Sequence, residues 1–235
     1  MIRDMQVADV TKVVAVHLEA FPDSFLSLLG RGGLALIYKD FAQNGFAYVF
    51  GEGDDIAGFL AGSFTPARNF YKQLVRRNPA RVSLYLARAT IRNPSLLKSI
   101  LNRAKGLFSR GAGSLESKST PNAYQTIVEA AGNVAHVLSI ATAPVYRRRG
   151  IADKLWTHLL RELPIRGVDA IVGSSLGEND PTNILCERKG FKIAACVPRP
   201  DGGEELKWVY YRRGHCTVLD DGSVTWNPDG RQDCR

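Results

Sequence analysis

The passage from Val134 to Leu163 constrains the fold of this chain more than any other. A nearly apolar run, "VAHVLSIAT" (Val134–Thr142), passes through Ala143 and Pro144 into "VYRRRGIA" and then "DKLWTHLLREL". Nine apolar and β-favouring residues read as a strand. Ile151, Leu155, Leu159 and Leu163 recur at helical spacing, so a helix follows the turn. A strand that feeds a glycine turn and then a helix gathers backbone N–H groups at the helix start. Those donors have no partner within the helix and lie at the positive end of its dipole, which makes an anion site. Gly150 accepts backbone angles closed to other residues, and the small Ala152 keeps the next amide uncovered. The passage is neither G-x-x-x-x-G-K-[ST] nor G-x-G-x-x-G, so triphosphate and dinucleotide readings lack their signatures. A solvated basic turn is the competing reading of "YRRRG".

The rest of the chain surrounds this passage with a mixed pattern. Val10, Val13, Val14, His17 and Leu18 share one helical face, with Asp9 as the expected N-cap and Pro22 as the stop. Asp23 is expected to cap a second helical stretch, interrupted around Gly30 to Gly33. "FAYVF" and "IAGFLAGSF", joined by "GEGDD", predict an antiparallel hairpin. Residues 66–110 predict a helical insertion broken at Pro79 and Pro94, followed by a polar loop from Ser109 to Asn122 that is expected to be mobile. "VDAIVGSS" predicts a strand, and "PTNILCERKG" a helix closed by Gly190. "FKIAACV" and "ELKWVYYR" predict a second hairpin. The expected class is a mixed α+β domain over residues 1–213, with a central mixed sheet of six or seven strands flanked by helices. Residues 66–122 form its basic insertion and loop, and residues 214–235 a tail with a small hairpin at "DDGS".

Charge and cysteine content narrow the function classes. From Pro66 to Lys118 there are twelve Lys and Arg against one acid, Glu116, so this segment exceeds the whole chain's net +8. Its partner is a separate question from that of the domain. The four cysteines are far apart, and His215, Cys216 and Cys234 match no zinc spacing, so no metal is expected. No segment reaches the ~20 apolar residues of a membrane span. The charged N-terminus does not read as a signal peptide, and a cytoplasmic protein is expected.

The turn Arg147-Arg148-Arg149-Gly150-Ile151-Ala152, after "SIATAP", resembles the [QR]-x-x-G-x-[GA] motif of the GNAT superfamily of acyl-CoA N-acyltransferases. Asn179, eleven residues before Gly190-Phe191, matches a second element of that family. The opening "IRDMQVADVTKVVAVHLEAF" looks like the family's first strand and helix, and the likeness runs to about Arg213 outside the insertion. The resemblance implies acetyl-CoA as co-substrate. The amides from Arg149 to Asp153 (Gly150, Ile151 and Ala152 between them) would hold its pyrophosphate, with Arg147 and Arg148 supplying field. The strand through Leu138, Ile140 and Thr142, splayed from "AIVGSS", would pair with the pantetheine arm. Asn179 would help hold the cofactor or order the site, and a simple helix cap is the alternative.

Acetyl transfer to an amine needs a base for the ammonium proton and an outlet for the thiolate. The resemblance places the base at His136, eleven residues before Arg147, where an imidazole titrating near working pH would suit the task. A core histidine satisfied by its neighbours is the other reading. Glu129 and Glu178 are fallback bases. Cys186 stands where many members carry an acidic tyrosine, so it is a candidate acid or else a packing thiol. "HLEAFPDSFLSLLG" and the insertion look like GNAT members found with bacterial surface-polysaccharide enzymes, which implies an amino sugar or nucleotide-linked amino sugar as acceptor. The insertion is open to three readings: a solvated lid, contact with an anionic membrane, or a phosphorylated substrate or nucleic acid. Sparse aromatics disfavour nucleic acid. A GNAT-fold protein without catalysis, binding through the insertion, is the rival from another class. The oligomeric state stays open, a homodimer included.

Overall fold

The computed structural model describes residues 1–94, 128, 132–199, 202–211, 215–218 and 224–227. The insertion beyond Pro94, the Ser109–Asn122 loop, Glu129 and Cys234 lie outside the described residues. Seven strands are hydrogen-bonded in the order β1-β2-β3-β4-β5-β7-β6: β1 (Ile2–Asp4), β2 (Phe46–Glu52), β3 (Asp55–Ser63), β4 (Val134–Thr142), β5 (Ala170–Leu176), β6 (Lys192–Pro198) and β7 (Glu204–Tyr211). The fold is therefore the mixed α+β type expected, a seven-stranded sheet flanked by helices. The chain divides into two compact units, residues 1–118 with 139–155, and residues 119–138 with 156–235. The boundary falls within β4.

In the first unit, β2 and β3 form the predicted hairpin, closed at Glu52↔Asp55 around Gly53. Helix α1 (Val10–Ala20) buries Val10, Val13, Val14 and His17, and α3 (Gly30–Asn44) buries Leu34, Ile37, Tyr38 and Phe41. Between them lies the short α2 (Phe25–Leu28). Rings join these layers. Tyr38 meets Phe59 edge-on at 5.1 Å between centroids, and Phe41 stacks on Phe70 at 4.4 Å. Two expected caps are corrected. The Asp9 carboxylate turns back to accept the Gln6 N–H at 2.8 Å and pairs with Arg3, so it closes the preceding 3-10 turn (Val7–Asp9) rather than capping α1. Ser24, not Asp23, caps α2, accepting the Ser27 N–H at 3.1 Å. The expected break at Gly30–Gly33 narrows to the junction at Leu29 and Gly30, because Gly32 and Gly33 lie within α3.

The described part of the insertion is two helices, α4 (Ala67–Arg77) and α5 (Pro79–Arg92). Pro79 occupies the first helical turn of α5, where its missing N–H costs nothing. Arg77 donates to both oxygens of buried Asp40 on α3, at 3.0 and 3.2 Å. One cation of the basic segment is thus committed to holding α4 against the core.

In the second unit, β4 and β5 are parallel over Val134–His136 and Ala170–Val172, and β5, β7 and β6 are antiparallel. Helix α6 (Ile151–Glu162) starts in the first unit and continues here. Its stripe Ile151, Leu155 and Leu159, continued by Leu163 in the 3-10 turn that follows, is buried as the spacing predicted. Helix α7 (Asp180–Arg188) ends at Gly190, whose φ of +84° fits a glycine stop. A separate pair, β8 (His215–Val218) and β9 (Val224–Asn227), forms a two-stranded sheet.

Candidate functional site

The turn expected to hold an anion lies in the first unit. After β4, Pro144–Tyr146 form a 3-10 turn, and the chain then runs through Arg147, Arg148 and Arg149 to Gly150. Two residues there adopt left-handed backbone, Arg148 at φ +63° and Gly150 at φ +73°. Arg148 is the only non-glycine with positive φ among the described residues. Such a conformation costs an L-residue roughly 1–2 kcal/mol, so the surrounding structure must hold it in place. Sequence reasoning missed this feature, because nothing about an arginine signals αL. The first bond of the α6 ladder runs from the Lys154 N–H to the Gly150 carbonyl at 3.0 Å, so the amides before it lie outside the ladder. A Cβ built on Gly150 would meet nothing within 4 Å. The approach to the Gly150 backbone is therefore open among the described residues, and amides outside the ladder are donors of the kind a pyrophosphate would take.

The three arginine side chains divide their tasks. Arg147 Nε donates to the Thr142 carbonyl at 3.5 Å. Arg149 pairs with Glu52 at 3.3 Å and lies over the Tyr146 ring at 5.2 Å. Arg148 is exposed and has no hydrogen bond or ion pair among the described residues. Beneath them, β3 fixes the end of β4. The Ala143 N–H donates to the Ala57 carbonyl at 2.9 Å. Gly58 passes so closely that an added Cβ would lie 2.9 Å from both the Ala141 carbonyl and the Ile151 side chain.

Of the other predicted residues, Leu138, Ile140 and Thr142 are half-buried along β4. His136 belongs to the second unit and is buried, and its ring makes no hydrogen bond among the described residues. Burial pushes its pKa down to about 4, which corrects the expectation of titration near working pH. Cys186 is buried on α7, with its thiol raised to about 11, first by burial and then by the Glu187 charge. Asn179 stands at the N-cap position of α7, but its side chain makes no capping bond. The nearby clamp is Asn183, which sequence reasoning did not single out. Its amide donates to the Gly177 and Leu176 carbonyls, and its oxygen accepts the Ser175 hydroxyl at 2.6 Å. Ser175 in turn accepts the Trp208 indole N–H at 2.7 Å. Glu178 is exposed and pairs with Arg199 at 2.6 Å. Among the described residues no cluster of His, Cys, Asp and Glu could hold a metal, and no helix is long and apolar enough to cross a membrane.

A family model described as acetyltransferase (GNAT) family matches residues 111–191, which contain β4, the arginine turn and α7. Solved structures match over nearly the whole chain. The ribosomal-protein-S18-alanine N-acetyltransferase of Escherichia coli is 13% identical, covering 90% of this chain and 92% of its own at a TM-score of 0.53. This chain carries the GNAT acetyltransferase fold. An N-acetyltransferase of Staphylococcus aureus Mu50 (15% identity, 90% and 97% covered, TM-score 0.52) shares the GNAT fold. So does a GNAT-family acetyltransferase of Bacillus cereus (14%, 90% and 96%, TM-score 0.51). No curated protein matches the chain.

The buried histidines make stability depend on pH. His17 and His136 are both held at about 4 by burial, below the ordinary value near 6.5. The unfolded chain therefore takes up these protons before the folded chain does. Stability should be complete above about pH 6.5 and fall toward pH 4, by up to about 1.4 kcal/mol per pH unit for each histidine. Urea unfolding at pH 7, 6 and 5 checks this. His17→Gln with an unchanged slope would remove that residue from the account.

Proposed function

We propose that this protein is an acetyl-CoA-dependent N-acetyltransferase in which a primary amine attacks the thioester directly within a ternary complex. The observation that carries the reading is the pair of left-handed residues, Arg148 and Gly150, ahead of the first α6 amides. A strained, open, donor-rich turn of this kind suits a pyrophosphate and has no evident use in a mere surface turn. Acetyl-CoA supplies the activated acyl group. The amides from Arg149 to Asp153, with Gly150, Ile151 and Ala152 between, hold its phosphates, and the unpaired Arg148 side chain is the most available of the three cations. The backbone of Leu138 to Thr142 binds the pantetheine arm, and Asn179, whose side chain makes no capping bond to its helix, supports the cofactor.

His136 is the base. A buried imidazole at about 4 is neutral across the physiological range, ready to accept a proton but weak in driving force. The acid role expected of Cys186 is the less favoured of its two readings. A leaving thiolate of ordinary acidity, about 8.5, would not draw a proton from a thiol held near 11. Packing is the better use of this cysteine, and the oxyanion donors then carry the departure of coenzyme A. The acceptor is a small amine, with an amino sugar first in line on the resemblance. The protein is read as cytoplasmic.

The test is coenzyme A release over amino sugars, polyamines, aminoglycosides and peptides, beside calorimetric binding of acetyl-CoA. Turnover is expected with at least one amine, and His136→Ala should lower it at least tenfold with cofactor affinity kept. Absence of acetyl-CoA binding refutes the reading. One observation favours the rival binding role enough to name it. Helix α5 exposes Ile91 (80%) and Leu84 (46%) beside Arg81, Arg88 and Arg92, a pattern suited to an anionic lipid surface.

A further inference from the structure

A chain of hydrogen bonds runs through the first unit from the middle of β4 to the start of α2. Ser139 Oγ meets Tyr38 Oη at 3.0 Å, and Tyr38 Oη meets His17 Nδ1 at 2.6 Å. His17 Nε2 meets Ser24 Oγ at 3.3 Å, Ser24 Oγ meets Ser27 Oγ at 2.9 Å, and Ser27 Oγ meets the Phe21 carbonyl at 2.5 Å. Tyr38 and His17 are almost fully buried, whereas Ser139 is half-buried. The partners lie 101, 21 and 7 residues apart along the sequence, so the arrangement exists only in the folded chain.

Counting protons fixes the direction of every bond. A carbonyl can only accept, so Ser27 spends its one hydroxyl proton on Phe21. Ser24 must then donate to Ser27, and its oxygen accepts the Ser27 N–H and the His17 Nε2–H. Burial keeps His17 neutral, so with Nε2 protonated its Nδ1 carries only a lone pair. Tyr38 therefore donates to Nδ1 and accepts from Ser139. The Ser139 proton is committed inward, and the remaining lone pairs of its oxygen can only accept. A neutral imidazole in this position fixes orientation rather than storing a proton.

Resting on the acetyltransferase reading above, we infer that Ser139 is the residue that receives the N–H of the acceptor amine, made acceptor-only by the oriented chain through Tyr38 and His17. Pantetheine amides would be served by the β4 backbone, which leaves the amine as the donor for this side chain. With one N–H held by Ser139, the nitrogen lone pair is directed away from that oxygen and left free to attack. Tyr38 and His17 are positioning residues. An amine offers the N–H that this oxygen can take, whereas a ligand offering only acceptors meets lone pairs.

Two measurements test this. Long-range proton–nitrogen spectra of ¹⁵N-labelled protein at pH 7, with His17 assigned by its loss in His17→Gln, should show Nε2 protonated and Nδ1 bare. The opposite tautomer reverses the chain and overturns the inference. Kinetics with glucosamine, spermidine and an alanine-starting peptide should show Ser139→Ala raising the amine KM about tenfold. The acetyl-CoA Kd should stay within about twofold, and Ser139→Thr should restore the KM. An unchanged amine KM overturns the role, and so does a loss confined to acetyl-CoA affinity. Failure of the wild type to bind acetyl-CoA would refute the enzyme reading and the amine role together, while the tautomer would still report the oriented chain.

Discussion

Gly150→Glu is expected to abolish acetyl-CoA binding while the chain stays folded. Two effects act in the same direction. The φ of +73° asks an L-residue to adopt left-handed backbone at roughly 1–2 kcal/mol, and the carboxylate places negative charge where the amides and helix dipole favour an anion. Affinity should fall more than a hundredfold, a loss of about 2.7 kcal/mol or more. Because a Cβ at this position meets nothing within 4 Å, the melting temperature should drop only by a few degrees. Gly150→Asn, which tolerates αL and carries no charge, should keep most of the affinity. Calorimetry on both variants decides: equal affinity in Gly150→Glu and wild type would remove the phosphate from this turn.

Gly58→Val should weaken the same site from beneath. The new side chain would push on the Ala141 carbonyl and the Ile151 side chain, the end of β4 and the start of α6. Overpacking of this kind costs about 1–3 kcal/mol, or roughly 2–12 °C in melting temperature for a chain of this size. Acetyl-CoA affinity should also fall about tenfold, because a small misplacement of fixed donors is felt strongly. A lower melting temperature with unchanged affinity would show that the turn does not depend on β3 for its shape.

The element order was legible in the sequence because its signals are local. β4 follows from an apolar run, α6 from Ile151, Leu155, Leu159 and Leu163, and the hairpin turn from Gly53 between two apolar stretches. Caps were less legible because they depend on competition. Asp9 had a stronger partner in Arg3 than in the α1 amides, and Ser24 took the place expected of Asp23. In the site, the glycine was visible but the left-handed Arg148 was not. His136 could be nominated by likeness, but the burial that lowers its pKa could not be foreseen, since that depends on everything packed around it. The bonds joining Ser139, Tyr38 and His17 were equally hidden, because they are made across distant parts of the chain.

The Arg77–Asp40 pair bears on how this protein can be trimmed. Excising α4 and α5 to obtain a minimal domain would leave the Asp40 carboxylate inside the core with, among the described residues, only Asn44 to hold it. The shortened chain would then carry a folding defect unrelated to whatever the basic segment binds, and a loss of activity would be misread as a loss of recognition. Charge-reversal at exposed Arg81, Arg88 and Arg92 probes the surface without that confusion, leaving Arg77 in place.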